Sequence, residues 1–228
     1  MIKRKVITID GPSGSGKSTV AKQLSNKLNW SYLDSGAIYR VVAFYALENR
    51  ILDTQNLLDK IANLNIDFIY DENNYIIYLD EQDISAYLRE ESVGEHASFL
   101  AQDVNIRKEL ESIQRNFSLG TNLVTDGRDM GTKIFPDAEM KIFLTATIRE
   151  RAVRRFFELQ NRGYHISIKE VEKQMQKRDE RDSSRSASPL QKAPGSITID
   201  TTTLSINEVV DKLFSMWHNL CSRSGSTL

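Results

Sequence analysis

Residues 11–19, Gly-Pro-Ser-Gly-Ser-Gly-Lys-Ser-Thr, follow the short apolar run Val6-Ile-Thr-Ile9 and fit the spacing Gly, four residues, Gly-Lys-Ser without a mismatch. A strand that ends in such a loop and runs straight into a helix is the first unit of an open α/β sheet. Glycines at 11, 14 and 16 permit the positive φ angles that turn backbone N–H groups inward and form an anion-binding concavity. Lys17 would reach β- and γ-phosphates, the Ser18 hydroxyl would ligate Mg²⁺, and a helix starting near Lys17 would present its positive dipole end to the same anion. The bland alternative is a glycine-rich turn with a solvated lysine. It leaves the agreement of residue types, spacing and strand-then-helix context to chance, so the loop implies a bound nucleoside triphosphate.

Bulk properties bound the rest. At 228 residues the chain suits one main domain carrying embedded modules. Its 30 basic residues nearly cancel 31 acidic ones, so no global field draws it to nucleic acid or a membrane surface. No apolar run approaches a signal-peptide core or a membrane span, and a soluble, unprocessed cytoplasmic protein is expected. The single cysteine, Cys221, excludes an intrachain disulfide and a cysteine-cluster zinc site. Balanced charge and the lack of an exposed apolar repeat lean toward a monomer.

Beyond the loop the pattern predicts a helix over residues 17–28 and a strand over 31–33, then a helix from about Ala37 with Ile38, Val41, Val42 and Tyr45 on one buried stripe. Residues 65–85 break the rhythm. Ile66, Phe68 and Tyr70 alternate, a polar turn occupies 71–74, and Ile76 and Tyr78 resume, which predicts an antiparallel insertion. A helical stretch is expected from about 93 to 118, core strands at 122–125 and 140–144, and charged helices at 149–161 and 168–185. A last strand at 196–199 precedes a helix capped by Ser205 and Glu208. The sum is a five-stranded parallel sheet flanked by helices. The expected division is a core of 1–35, 86–147 and 186–221, an acceptor-binding module of 36–85, a lid region of 148–185 and a flexible tail of 222–228.

Four further groups bear on chemistry. Residues 34–40, Asp-Ser-Gly-Ala-Ile-Tyr-Arg, sit at the C-terminal end of the second strand, where open α/β sheets bind ligands. They could hold a second substrate, or Asp34 or Ser35 could simply cap the next helix with Arg40 solvated. Residues 126–131, Asp-Gly-Arg-Asp-Met-Gly, follow an apolar strand; Asp126 could organise magnesium and Arg128 a phosphate, against a surface pairing of Arg128 with Asp129. Arg178, Asp182 and Arg185 share one helix face, for which an ion-pair ladder is the ordinary reading. Arg149, Arg151, Arg154 and Arg155 gather at a helix start, the wrong end for cations unless an anion docks there, and read as a closing lid or as a basic solvated helix. The guanine-reading motif of GTPases and the Leu-Ser-Gly-Gly-Gln signature of transport ATPases are both absent.

Taken together, the loop at 11–19, the segment 34–40, the run Asp-Gly-Arg-Asp-Met-Gly-Thr-Lys-Ile-Phe-Pro-Asp at 126–137, and Arg-Asp-Glu-Arg-Asp at 178–182 with Arg185 resemble the bacterial cytidylate kinases over nearly the whole chain. The resemblance implies a three-layer P-loop kinase fold, an acceptor-binding insertion after Asn65, and a short lid near 152–155. It also implies ATP- and Mg²⁺-dependent phosphorylation of CMP and dCMP in pyrimidine metabolism, with UMP a poorer substrate. Carried over by position, Gly11, Pro12, Ser13, Gly14, Ser15, Gly16, Lys17, Ser18 and Thr19 would hold ATP, and Ser18 with Asp126 would hold the metal. Ser35, Ser98, Arg107 and Asp129 would surround cytosine, Arg178 and Asp182 the pentose, and Arg40, Arg128 and Arg185 the acceptor phosphate. Lys17, Arg128, Arg151, Arg155 and Arg185 would serve catalysis.

Direct in-line transfer then needs no covalent intermediate. It needs no general base either, because the acceptor phosphate's second pKa is roughly 6. Accordingly His96, His165 and His218 attract no role. The alternatives are a kinase for another small acceptor, such as AMP or shikimate, and a regulatory nucleotide-binding module that lacks a second anion site.

Overall fold

The computed structural model describes residues 4–70 and 75–223. In chain order the elements are β1 (Val6–Asp10), α1 (Lys17–Leu28), β2 (Ser31–Asp34), α2 (Ser35–Glu48), α3 (Thr54–Ile61), β3 (Ile66–Tyr70), β4 (Tyr75–Leu79), β5 (Gln82–Asp83), α4 (Glu91–Leu100) and α5 (Val104–Asn116). They continue with β6 (Leu123–Gly127), β7 (Met140–Thr145), α6 (Ile148–Asn161), α7 (Ile168–Ser184), β8 (Ile197–Asp200) and α8 (Ile206–Arg223). Two compact units result, residues 1–33 with 120–228, and residues 34–119.

The first unit is built on a five-stranded parallel sheet in the order β2-β6-β1-β7-β8. Strand β1 is central, with Ile9 beside both Asp126 and Ile142. Every residue of β1 and β6 is buried, as strands covered on both faces require. Helix α1 packs on α8 and β6, and Trp30 meets Trp217 edge to face at 4.9 Å. Helices α6 and α7 form a hairpin around Ala152, Leu159, Val171 and Met175. The expected capping box at the start of α8 is present, with Ser205 N donating to Glu208 at 2.8 Å and Glu208 N to the Ser205 hydroxyl at 3.3 Å. The cap fixes where α8 begins. The helix also takes in Ser222 and Arg223, which were expected in the tail, while 224–228 lie outside the described residues.

In the second unit α4 packs along α2, and α5 packs on α3 and α2. Three antiparallel strands follow the order β3-β4-β5, with Ile66 opposite Leu79 and Phe68 opposite Ile77. The insertion therefore forms as the alternation predicts, although its expected turn at 71–74 lies outside the described residues.

One expected element differs in the structure. The stretch at 93–118 is two helices, because Asp103 leaves helical geometry and its carboxylate accepts from Asn105 N at 2.8 Å and Ile106 N at 3.1 Å, starting α5 afresh. Residues 86–119 group with the second compact unit, where Val93, Ala97, Leu100, Ile106 and Leu110 are buried on α4 and α5. The 148–185 segment groups with the core sheet, and unit two begins at Asp34.

Candidate active site

The loop leaves β1 at its C-terminal end and closes at Gly16, whose φ of 86° lies in the left-handed region that favours glycine and starts α1 at Lys17. Pro12 O accepts from Ser15 Oγ at 3.0 Å and from Lys17 Nζ at 3.3 Å, so the lysine folds back over the loop it belongs to. Thr19 is exposed. From across the sheet, Thr201 after β8 donates its hydroxyl to Ser15 O at 3.0 Å, and Arg154 donates to Thr201 O at 2.6 Å. The loop is thus braced from two elements besides its own.

Strand β6 runs beside β1 and delivers Asp126 to the start of α1. Its buried carboxylate accepts from Ser18 Oγ at 2.7 Å and from Tyr32 OH at 2.8 Å. Ser18 and Asp126, proposed from sequence as metal ligands, therefore meet. Both offer hard oxygen donors of the kind that suit Mg²⁺ when phosphates and waters complete the shell. Among the described residues no three His, Cys, Asp or Glu side chains gather as a self-sufficient metal cage.

Immediately after β6, Arg128 turns to α7 instead of to its neighbour Asp129. Its Nε donates to Asp182 Oδ2 at 2.7 Å, an inward pair with little exposure. Burial pushes the Asp182 carboxyl up, but Arg128, Arg178 and Arg185 together hold it below its ordinary value. Burial likewise works against the Arg128 charge, and Asp182, Asp126 and Asp179 overcome it to raise its pKa. Arg185 sits just past the end of α7 and donates to Ser188 O at 2.6 Å. Three guanidiniums gather at the Asp182 carboxylate, with Asp126 and Asp179 also acting on Arg128, and their planar donor forks suit an oxyanion ligand. The ladder on α7 is therefore tied to β6 and is not a surface ornament.

Of the arginines on α6, Arg149 is exposed, whereas Arg151 is buried and donates to Ser13 O and Ala146 O, each at 3.0 Å. Arg151 also pairs with Asp179 of α7 at 2.7 Å. Arg155 pairs with Glu158 along its own helix at 2.8 Å. Arg151 thus holds the phosphate loop's outer turn to the α6–α7 hairpin, which is a fixed position rather than a solvated one.

In the second unit Asp34 caps α2, its carboxylate accepting from Ala37 N at 3.2 Å. Ser35, the first residue of that helix, is buried, and its Oγ donates to Gln114 Oε1 of α5 at 3.0 Å. Arg40 is half-buried and donates to Leu88 O at 2.7 Å, its guanidinium lying on Gly94 of α4, where no Cβ intervenes. Ser98 of α4 is buried, as is Arg107 of α5, which donates to Ala101 O at 3.0 Å and lies 5.4 Å from the Tyr39 ring of α2. So α2, α4 and α5 assemble the residues expected at the base and acceptor phosphate from this unit.

Sequence reasoning missed several partners. Asp10, the last residue of β1, accepts from Met130 N at 2.9 Å and Gly131 N at 2.8 Å. Burial raises its carboxyl to about 6, against the two N–H donors, with Asp129 raising it further and Arg128 lowering it. An acid closing an otherwise apolar strand was a visible signal. Tyr32, Asp179 and Gln114 carry no such local mark, since each meets its partner only through the fold.

Comparison with known proteins places the chain in a family. The family model described as "Cytidylate kinase" matches residues 7–219. A cytidylate kinase of Nitrosomonas europaea is 46% identical over 214 residues, covering 93% of this chain and 94% of that one. One from Proteus mirabilis is 42% identical and one from Bacillus cereus 41%, each over 219 residues, with 95% of this chain and 97% of the relative covered. Among solved structures, an uncharacterized protein from Eubacterium ventriosum shares the fold at a TM-score of 0.51 and 16% identity, over 95% of this chain and 99% of that one. With a braced phosphate loop, an Asp126–Ser18 pair and a cluster of guanidiniums in place, the chain belongs to the cytidylate kinase family.

Proposed function

We propose that the protein transfers the γ-phosphoryl group of ATP to CMP and dCMP in a Mg²⁺-dependent reaction. The observation that carries this reading is the Arg128–Asp182 pair with Arg178 and Arg185 close to the same carboxylate, a polar, arginine-rich cluster distinct from the phosphate loop. A nucleotidase or a regulatory module needs one phosphate cradle; a kinase for nucleotides needs two.

On this reading residues 11–19 cradle ATP and Lys17 leaves Pro12 O to follow the charge that develops on the transferring group. Arg128 and Arg185, with Arg40, hold the acceptor phosphate. Asp182 and Arg178 take the pentose hydroxyls. Asp129 accepts from the cytosine amino group while Arg107, Ser98 and Ser35 complete the base contacts. Arg151 and Arg155 stand on the lid helix and serve the transfer. Ser18 and Asp126 would hold Mg²⁺, which when bound would supply neutralisation of the donor phosphate charge. The acceptor phosphate oxygen attacks in line, already ionised near neutral pH because its second pKa is about 6.

The two nucleotides are the only partners this reading requires. Near-balanced charge supports the absence of a nucleic-acid or membrane partner and a monomeric state, and both substrates belong to the cell interior, which supports a cytoplasmic site. No helix among the described residues is long and apolar enough to cross a membrane. Phosphorus NMR of the protein with ATP, CMP and Mg²⁺ tests the reaction. CDP and ADP should grow in equal amounts and stop on chelation, whereas ADP with free phosphate and no CDP overturns the proposal.

A further inference from the structure

Ser35 and Gln114 are both buried, and each makes a contact that settles the chemistry of the other. The Gln114 amide nitrogen donates to Leu110 O, one turn earlier in α5, at 3.1 Å. A backbone carbonyl only accepts, so this bond leaves the amide one workable orientation, with Oε1 directed at Ser35 Oγ 3.0 Å away. An amide oxygen also only accepts. The one hydroxyl hydrogen of Ser35 must therefore point at Gln114, and what Ser35 presents elsewhere is lone pairs alone.

We infer that Gln114 is a specificity-determining positioning residue, which fixes the Ser35 hydroxyl as a hydrogen-bond acceptor toward the base. The inference rests on the proposed reading of Ser35 as a base contact. A serine that can only accept matches the exocyclic amino group of cytosine, which donates. It mismatches the corresponding carbonyl of uracil, which would face lone pairs with no hydrogen to share. Selectivity thus arises one residue back from the base, in an amide whose own orientation is set by the backbone of α5. Neither Ser35 nor Gln114 carries a charge, so this discrimination should not depend on the ionisation of either side chain.

The test is kcat/KM for CMP and for UMP, measured on the same preparations of wild type, Ser35→Ala, Gln114→Met and Gln114→Glu. Methionine keeps the length of the side chain and removes the acceptor, freeing the Ser35 hydrogen to meet uracil. The CMP/UMP ratio should fall by about five- to tenfold in Gln114→Met, mainly because UMP improves. Glutamate keeps an acceptor oxygen opposite Ser35 whether or not it is ionised, and should hold the ratio within about twofold of wild type. A packing defect would lower both efficiencies together and leave the ratio where it was, which overturns the inference. So does a ratio that falls equally in Gln114→Glu and Gln114→Met. Ser35→Ala separates the layers: a lowered ratio there with none in Gln114→Met removes Gln114 alone, while an unchanged ratio in Ser35→Ala removes the base-contact reading of Ser35 and the inference with it.

Discussion

The hydroxyl of Ser18, in the first turn after the phosphate loop, donates a 2.7 Å hydrogen bond to Asp126 at the end of the neighbouring strand. The strand order makes this contact, since β6 lies directly against β1 with Ile9 beside Asp126. Tyr32 fixes the other carboxylate oxygen at 2.8 Å.

Asp126→Asn keeps the volume and removes the charge. Turnover should fall, and the Mg²⁺ concentration for half-maximal rate should rise, by about 10- to 100-fold, the range seen when groups that orient a metal's ligands are lost. Titrating Mg²⁺ at saturating ATP and CMP checks it. An unchanged Mg²⁺ requirement removes Asp126 from the metal's surroundings.

Removing Arg128 strands a buried carboxylate. Arg128→Ala is expected to cost about 3 kcal/mol, the lower end of the range for a broken buried pair, because Arg178 and Arg185 still act on Asp182. Adding Asp182→Asn should return part of that loss. Urea unfolding of the single and double variants gives the answer, and additive losses would contradict the pairing.

Asp10 makes stability depend on pH. Its carboxyl is raised from 3.8 to about 6 in the folded state, mainly by burial. The folded protein therefore holds that proton more tightly than the unfolded chain. The resulting stabilisation is present below 3.8 and lost as pH rises through about 6. Relative to Asp10→Asn, wild type should lose about 2 kcal/mol of stability between roughly pH 4 and pH 7. A wild-type stability that stays level with respect to Asp10→Asn across that window sinks the assignment.

Gly94→Ala separates binding from stability. The added Cβ would stand 3.0 Å from both terminal nitrogens of Arg40, close enough to move the end of that flexible side chain. If Arg40 holds the acceptor phosphate, KM for CMP should rise by about three- to tenfold through weakening of a charge-assisted contact. The helix itself should hold or gain up to about 1 kcal/mol. Steady-state kinetics beside a thermal melt decides it; an unchanged KM argues against Arg40 as a phosphate ligand.

What the sequence made legible was whatever local spacing encodes. The loop, the 17–28 helix and the Ser205–Glu208 cap all appear where residue pattern places them, because turn chemistry and a 3.6-residue period act within a few residues. The short helix at Thr54–Ile61 went unread: Leu57 and Ile61 are its only buried residues, too few to set a period. Pairings across the fold were the least legible. Arg128 has Asp129 beside it in sequence yet meets Asp182, because the bend after β6 leaves Arg128 toward α7, which brings a carboxylate to the guanidinium. The helical pattern over about 93–118 carried no sign of what the helices there would pack against. In the fold α4 packs on α2, and α5 on α3 and α2.

The central claim, that this protein is a kinase for cytidine nucleotides, is tested most directly by kcat/KM for ADP formation from ATP and Mg²⁺ across CMP, dCMP, UMP, AMP, GMP and shikimate. CMP and dCMP should lead, with UMP roughly ten- to hundredfold lower for one unpaired buried group, and the others near background. A preference for any acceptor outside the cytidine nucleotides would contradict the account.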